Sequence, residues 1–392
     1  MSLETSLVRA AALLREWRDV FEERVADAAA PSWAVRRGWD AFLLGLPEDN
    51  IATCERGGAR AVASLEGAPS DLVALAREVV AVTALLGAVP GAPLPEAFRG
   101  ASRRKSGQVA SLVALCRSRG FTPRRVVDVG AGAGHLTRAL ARTLEVEAVG
   151  LERDADRVGR ARALSAAEQG ARFEARTVGP TSLALDRDDL AVGLHACGAL
   201  GDMLVEAAAR DRASVILVAC CPQKIPGSHR AALSLTGREH GLTIAREVLG
   251  LANAFEGTPD LEARAVRVAL RWILRARGVT VRPGAETHGL TPSGRRTLAG
   301  AAERALARRG LAPSNETEQR DALAVARAEV QRARRRTLPR RLLATALEVT
   351  LALDRARTLE EAGAVAEVVA LFPRELSPRN LAVVAHAGLS SS

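Results

Sequence analysis

The sequence contains no tyrosine, and of its 55 basic residues only Lys105 and Lys224 are lysine. Aromatic residues make up 3% of the chain, so the aromatic stacking surfaces of the common RNA-binding modules are not to be expected. No apolar run approaches the ~18 residues a membrane span needs. Glu4, Glu16, Asp19, Glu22 and Glu23 interrupt the N-terminal stretch, against both a secretory signal and a transit peptide. The five cysteines are odd in number, and Cys220 and Cys221 are adjacent, which argues against a disulfide framework and for a reducing, cytoplasmic setting. What is present is ordinary for a globular protein: 392 residues, 48% apolar and 26% charged, with room for two or three domains. The net charge of +10 permits nucleic-acid binding. It is also what GC-rich coding produces, since arginine replaces lysine almost throughout.

The first 86 residues or so read as helical. Leu7, Ala11, Leu14, Trp17, Phe21 and Val25 recur every three or four positions and place one apolar stripe on a helix. Pro90, Gly91, Pro93 and Pro95 mark a linker and a domain boundary. Beyond it, helices over 107–119, 135–144, 155–169 and 199–210 alternate with strands over 125–129, 147–152, 171–178, 190–195 and 214–219. That alternation predicts an α/β, Rossmann-like sheet, mostly parallel, built from right-handed βαβ units. It stops after Cys221. Residues 225–337 carry helical patterns and no clear strand. A helix over 338–361 then leads to two strands, 366–372 and 381–385, expected as an antiparallel hairpin closing the sheet.

Gly130, Gly132 and Gly134 follow the first of these strands and open a helix, where an open α/β sheet binds its ligand. A dinucleotide fingerprint would put its third glycine at position 135, which is His135. The spacing here, with Asp128 two residues ahead, suits S-adenosylmethionine better: a carboxylate can hold that ligand's ammonium, and there is no pyrophosphate to seat. Glu152, ending the next strand, offers two acceptors to the two donors of a ribose diol. Asp128, Gly130, Ala131, Gly132, Gly134, Glu152, Arg153 and Gln108 are therefore the expected donor-binding residues. The competing explanation makes Asp128 a brace for the loop and Glu152 a solvated strand end.

His195 and Cys197 end the fourth strand, and Cys220 and Cys221 the fifth, so all four reach the rim that carries the glycine loop. They can line a methyl-acceptor pocket with His195 as acid or base, bind zinc, or close a crowded sheet edge. Adjacent strand residues point to opposite faces, which speaks against Cys220 and Cys221 sharing one ion, and no metal is expected. Lys105 and Lys224 both fall beside this rim. In a chain that uses arginine wherever arginine serves, they retain a compact ammonium and a tunable base. His195, Cys197, Lys224 and Lys105 are the expected catalytic residues.

The run from 99 to 386 resembles the class I methyltransferases grouped with methyltransferase-like protein 25 and with the protein named for its ribosomal RNA adenine dimethylase domain. The resemblance rests on 105–109, the loop at 128–134, Gly193 to Gly198, the Cys220–Cys221 pair, the block 342–359 with Leu353, Asp354 and Arg355, and the stretches 370–372 and 376–381. The His-x-Cys-Gly and Cys-Cys pieces are also similar to those of a eukaryotic tRNA ribose methyltransferase family. The resemblance implies S-adenosylmethionine as cofactor and methyl transfer as activity, but no defined acceptor. The chain departs from its eukaryotic relatives at Pro222, Gln223 and Lys224. On this basis residues 1–98 are expected as a helical N-terminal domain, 99–224 as the first part of a methyltransferase core, 225–337 as a helical insertion, and 338–392 as the rest of the core. RNA, either tRNA or rRNA, is the leading acceptor through an Arg-rich surface of Arg332, Arg334, Arg335, Arg336, Arg340 and Arg341. A protein side chain or small molecule, or a non-catalytic binding role, is the alternative.

Overall fold

The computed structural model describes residues 2–26, 29–88, 101–166, 169–179, 181–253, 260–291 and 297–388. The proline-rich linker expected at 90–95 lies outside them. Ten strands occur among the described residues: β1 (Gly87–Ala88), β2 (Arg125–Val129), β3 (Glu147–Glu152), β4 (Ala171–Ala175), β5 (Asp189–Cys197), β6 (Ser214–Cys220), β7 (His229–Ala231), β8 (Thr243–Ala245), β9 (Val365–Ala370) and β10 (Leu381–His386). Eight form one sheet in the order β1-β9-β10-β6-β5-β2-β3-β4. The five from β4 to β6 run parallel, while β10 is antiparallel to both β6 and β9. This is the expected mostly parallel sheet with its antiparallel C-terminal hairpin.

The strands form where β-branched residues cluster and are covered on both faces. Val126, Val192, Ile216, Val218, Val369 and Val384 pack against Val109, Leu112 and Leu115 of the helix Arg103–Ser118 and Leu136 and Leu140 of the helix His135–Leu144. That first helix starts where the Ser102 hydroxyl caps the Lys105 amide at 3.3 Å. From β2 the chain builds outward to β3 and β4, then returns to β5 on the other side of β2. The carboxyl ends of β2 and β5 therefore flank a topological switch point, where such sheets open a crevice.

Two compact units are present. One comprises residues 1–17, 78–254 and 343–392, and includes the sheet; the other comprises 18–77 and 255–342. The stretch 1–98 is thus divided between the two units and does not stand as a domain of its own. Its first helix, Leu3–Glu16, belongs with the sheet. Within the second unit, Val266, Ala269, Leu270 and Ile273 of the helix Leu261–Arg275 pack on Ala301, Ala305, Ala326 and Val330. The stretch 225–337 is not wholly helical, since β7 and β8 pair as a separate two-stranded ribbon. Strands of three residues are too short to show a period of two in the sequence.

The expected Arg-rich surface is not free. On the helix Glu316–Arg336, Arg334 is bonded to Glu48 and to Glu55 (2.7 Å), Arg335 reaches Glu48 at 3.3 Å, and Arg336 pairs with Asp40 at 2.7 Å. Arg340 is buried and donates to the Phe21 carbonyl at 3.1 Å, and Arg341 lies 3.5 Å from Glu55. Five of the six arginines are committed to ion pairs and backbone caps inside their own unit. Acids from the far-off 40–55 segment, invisible as partners in the linear sequence, take up the charge.

Candidate functional site

The loop after β2 is shaped by left-handed backbone. Gly130, Gly132 and Gly134 have φ of 81°, 59° and 72°. A Cβ at Gly132 would meet nothing within 4 Å, whereas one at Gly134 would lie 2.3 Å from the Phe173 ring. Gly134 is thus closed by packing, and Gly132 faces open space. The Gly130 and Ala131 amides both donate to the Leu151 carbonyl, which ties the loop to β3.

Glu152 is buried against this loop. One carboxylate oxygen accepts from the Gly132 amide at 3.0 Å and the other from the Asp154 amide at 3.1 Å. A carboxylate has about four acceptor sites, so each oxygen keeps one for a hydroxyl. Asp128 is also buried, and one of its oxygens accepts from the Thr137 hydroxyl at 2.6 Å. Burial raises its pKa to about 6, against the opposing pull of the Thr137 hydrogen bond and the Lys105 ammonium. Asp128 is thus both a brace for the loop and a carboxyl poised beside a cation. Lys105 is half-buried; desolvation lowers its pKa, opposed by Asp128 and reinforced by Arg157 and Arg138.

His135, used above only to exclude a dinucleotide fingerprint, is part of the same wall. Its Nδ1 lies 3.0 Å from Arg138, and burial with the Lys105 and Arg138 charges lowers its pKa to about 4. It is neutral at neutral pH. Thr137, His135 and Arg138 went unrecognised in the sequence because they sit on a helix with no motif spacing of their own. Arg153 stands exposed on the turn after β3.

The second half of the site comes from β5 and β6. Their register shifts between Leu194 and Ala196, and the bulged residue is His195, with φ of 66°. Its Nε2 lies 3.1 Å from Oε1 of Gln108, on the helix Arg103–Ser118. Gln108 is buried, and its Nε2 has no partner among the described residues. A buried amide without a partner costs free energy, so this donor is available to a ligand. Gly198 follows, in the turn between β5 and the helix Ala199–Asp211. A Cβ there would lie 2.1 Å from the Lys224 carbonyl, which also accepts from the Ala199 amide at 3.0 Å. The glycine of the His-x-Cys-Gly segment is required by this close approach, and the contact locks the 221–224 turn beside β5. Lys224 itself is exposed.

Three sulfurs converge here. Cys197 Sγ and Cys220 Sγ are 2.7 Å apart, and Cys221 completes a cluster whose sulfurs all lie within 4.8 Å of one another. The expectation that Cys220 and Cys221 face opposite ways fails, because β6 ends at Cys220 and Cys221 turns back with φ of 30°. Strand alternation does not extend into that turn. The Cys220 hydrogen bond pulls the Cys197 thiol down to about 6, against burial and helped by Cys221 and Lys224, while the Cys220 thiol is pushed up. A cavity of about 220 Å³ lined by Arg187, Arg212 and Gly388 lies at the amino ends of β5 and β6, the opposite edge of the sheet from these groups.

Residues 104–227 match the model of a family described as a methyltransferase domain. Solved structures similar to part of the chain include magnesium protoporphyrin IX methyltransferase from Synechocystis, at 22% identity over 29% of this chain and 54% of that one, with a TM-score of 0.24. A tRNA (uracil-54, C5)-methyltransferase from Pyrococcus abyssi matches at 19% identity over 30% of this chain and 29% of that one, TM-score 0.24. An amino pentose methyltransferase from Micromonospora echinaspora matches at 19% identity over 33% and 56%, TM-score 0.23. The chain spans 54% or less of the length of the first two. Overlaps this partial carry no argument about the acceptor.

Proposed function

We propose that this protein is an S-adenosylmethionine-dependent methyltransferase and that it methylates RNA. The observation that carries the acceptor is the cationic rim at the carboxyl edge of the sheet. Arg103, Arg153, Arg157, Arg176 and Lys224 are exposed there, next to half-buried Lys105. Arg157 is shared with Asp154 at 3.4 Å, and Arg176 spends one N–H on the Ser182 carbonyl without losing its charge, so Arg103, Arg153, Arg176 and Lys224 are the cations offered to phosphates.

The residues present fit the methyl donor. Gly132 leaves room for it, Glu152 keeps two acceptor sites for a diol, and Asp128 supplies a buried carboxyl for an ammonium. When bound, the donor supplies an electrophilic methyl group on a sulfonium. Transfer is an in-line displacement, so the chain's main task is to align the acceptor and exclude water. His195 is the group placed to take the acceptor's proton. Gln108 Oε1 can only accept, so the 3.1 Å contact orients the ring through its Nε2. The bulge puts His195 near the carboxyl end of β5, the strand that neighbours β2 in the sheet.

The direct test supplies labelled S-adenosylmethionine with tRNA, rRNA, protein extract or metabolites. Label should enter RNA. Binding to RNA should weaken with salt at a log–log slope of about −3 for roughly four phosphate contacts. His195→Ala should slow transfer by about 100-fold or more while leaving donor affinity intact. Label entering only protein or small molecules, or salt-independent binding, would remove RNA as the acceptor.

Asp128 makes a separate prediction. The donor's positive charge favours the ionised carboxylate, so binding must displace a proton wherever the free group is protonated. Donor affinity should therefore rise with pH, by up to ~10-fold per unit, as pH approaches the free group's pKa of about 6, and level off above it. Calorimetric titrations across pH 4.5 to 7.5 read this directly, and Asp128→Asn should flatten the profile.

A further inference from the structure

The cluster of Cys197, Cys220 and Cys221 is not needed to hold the donor or to move the acceptor's proton. We propose that it binds one zinc ion through three thiolates, with the fourth tetrahedral position open to water or to the acceptor.

The argument is geometric. Cys197 and Cys220 are register partners at the carboxyl ends of two parallel strands. Without the bulge at His195 the register would differ by one residue, and Cys197 would not stand opposite Cys220. Cys221 reaches the cluster only because its backbone takes a φ of 30°, a region that residues with a Cβ avoid. Two separate backbone irregularities thus bring the sulfurs to within 4.8 Å of one another. Strain of this kind persists where the surrounding structure imposes it, and it clusters at ligand sites. Both Cys197 and Cys220 point their thiols at one acceptor, the His195 carbonyl, at 3.4 and 3.2 Å. An S–H is a weak donor, so these contacts hold the thiols only loosely, whereas a thiophilic cation satisfies all three sulfurs at once.

Zinc fits the dimensions. At a Zn–S distance of ~2.3 Å, tetrahedral ligands lie about 3.8 Å apart, inside the spread of the cluster. The Cys197–Cys220 pair would open from 2.7 Å toward that separation. A disulfide between the same pair would instead close to ~2.05 Å, and it would leave the strained Cys221 without purpose. On binding, each thiol loses its proton to solvent, with no redox change. Three thiolates and one divalent ion leave a single net negative charge, and Lys224 lies three residues beyond Cys221 on the same turn to face it. All three cysteines are half-buried, so an exogenous fourth ligand has access.

The test uses the full-length protein, expressed in medium with defined metals and purified without chelator. Elemental analysis should find about one zinc per chain, and Co²⁺ exchange should give thiolate-to-cobalt charge-transfer bands with tetrahedral d–d absorption. Cys197→Ser and Cys221→Ser should each reduce zinc content by about 10-fold or more, whereas Cys54→Ala, in a cysteine buried elsewhere, should not. Five titratable thiols with no metal, a Cys197–Cys220 disulfide, or iron with acid-labile sulfide would each overturn the proposal. Metal content and cobalt spectra need no methyl acceptor, so they stand or fall separately from the RNA reading.

Discussion

Asp354→Ala should destabilise the sheet-bearing unit by about 3–5 kcal/mol. Asp354 is fully buried in the helix Leu338–Glu361. It accepts from Arg230 at 2.8 Å, from the Leu233 and Ser234 amides at 3.1 Å each, and from the Ser234 hydroxyl at 2.7 Å. Arg230 also forks onto Asp202 at 2.8 and 3.1 Å, and Arg355 donates to the same Asp202 at 2.9 Å. Two arginines and two aspartates thus balance in the interior. Removing Asp354 leaves one guanidinium N–H, two amides and a hydroxyl without their acceptor, and two buried arginines facing a single aspartate. Burial alone would raise the Asp202 pKa, but Arg355 and Arg230 outweigh it and hold the carboxyl below its usual value. The stability Asp202 contributes is therefore present above its unfolded pKa of 3.8 and lost as pH falls through the lowered folded value. Two units need not unfold together, so the measurement is hydrogen exchange at β5 and β6 alongside denaturant melts. A loss below about 1 kcal/mol would mean the cluster relaxes or hydrates, and that its charges are not confined as their burial implies.

Gly134→Ala and Gly132→Ala, two residues apart, should fail in opposite ways. At Gly134 the new methyl would sit 2.3 and 2.4 Å from two atoms of the Phe173 ring and 3.2 Å from the Ala161 Cβ. Phe173, Ala161 and Val158 form a small buried cluster with little room to yield. Overpacking of about 1–3 kcal/mol adds to about 1–2 kcal/mol for an alanine held at left-handed φ, so this variant should lose stability first. At Gly132 there is only the backbone penalty of about 1–2 kcal/mol. The methyl would project into the open space proposed for the donor, so affinity for S-adenosylmethionine should drop by about 10-fold or more while most of the stability remains. Denaturation midpoints and calorimetric titration separate the two. Equal donor affinity in Gly132→Ala and the parent would place the ligand elsewhere.

The contrast shows which parts of the site could be read in advance. Asp128, Gly130, Gly132, Gly134 and Glu152 were legible because their roles are local: a strand end, a turn that needs positive φ, a helix start. Gln108 and His195 were both named, yet their contact was not, since 87 residues separate them. The block containing Leu353, Asp354 and Arg355 stood out as a motif without a role. Its role is electrostatic and buried, with partners on Asp202 and at 230–234. The arginines from 334 to 341 were read as an open surface because charge in a sequence carries no record of which acids fold against it.

By itself, the order of residues determined the alternation of strands and helices, the antiparallel hairpin at the end and the glycine turn after β2. Each follows from the periodicity of apolar side chains or from backbone angles that only neighbouring residues impose. Tertiary structure alone decided that three sulfurs meet, that five arginines turn inward, and that the N-terminal stretch is shared between two units. Those outcomes depend on register, on a single bulged residue and on contacts between distant segments, and a one-residue change in pairing would have reversed them.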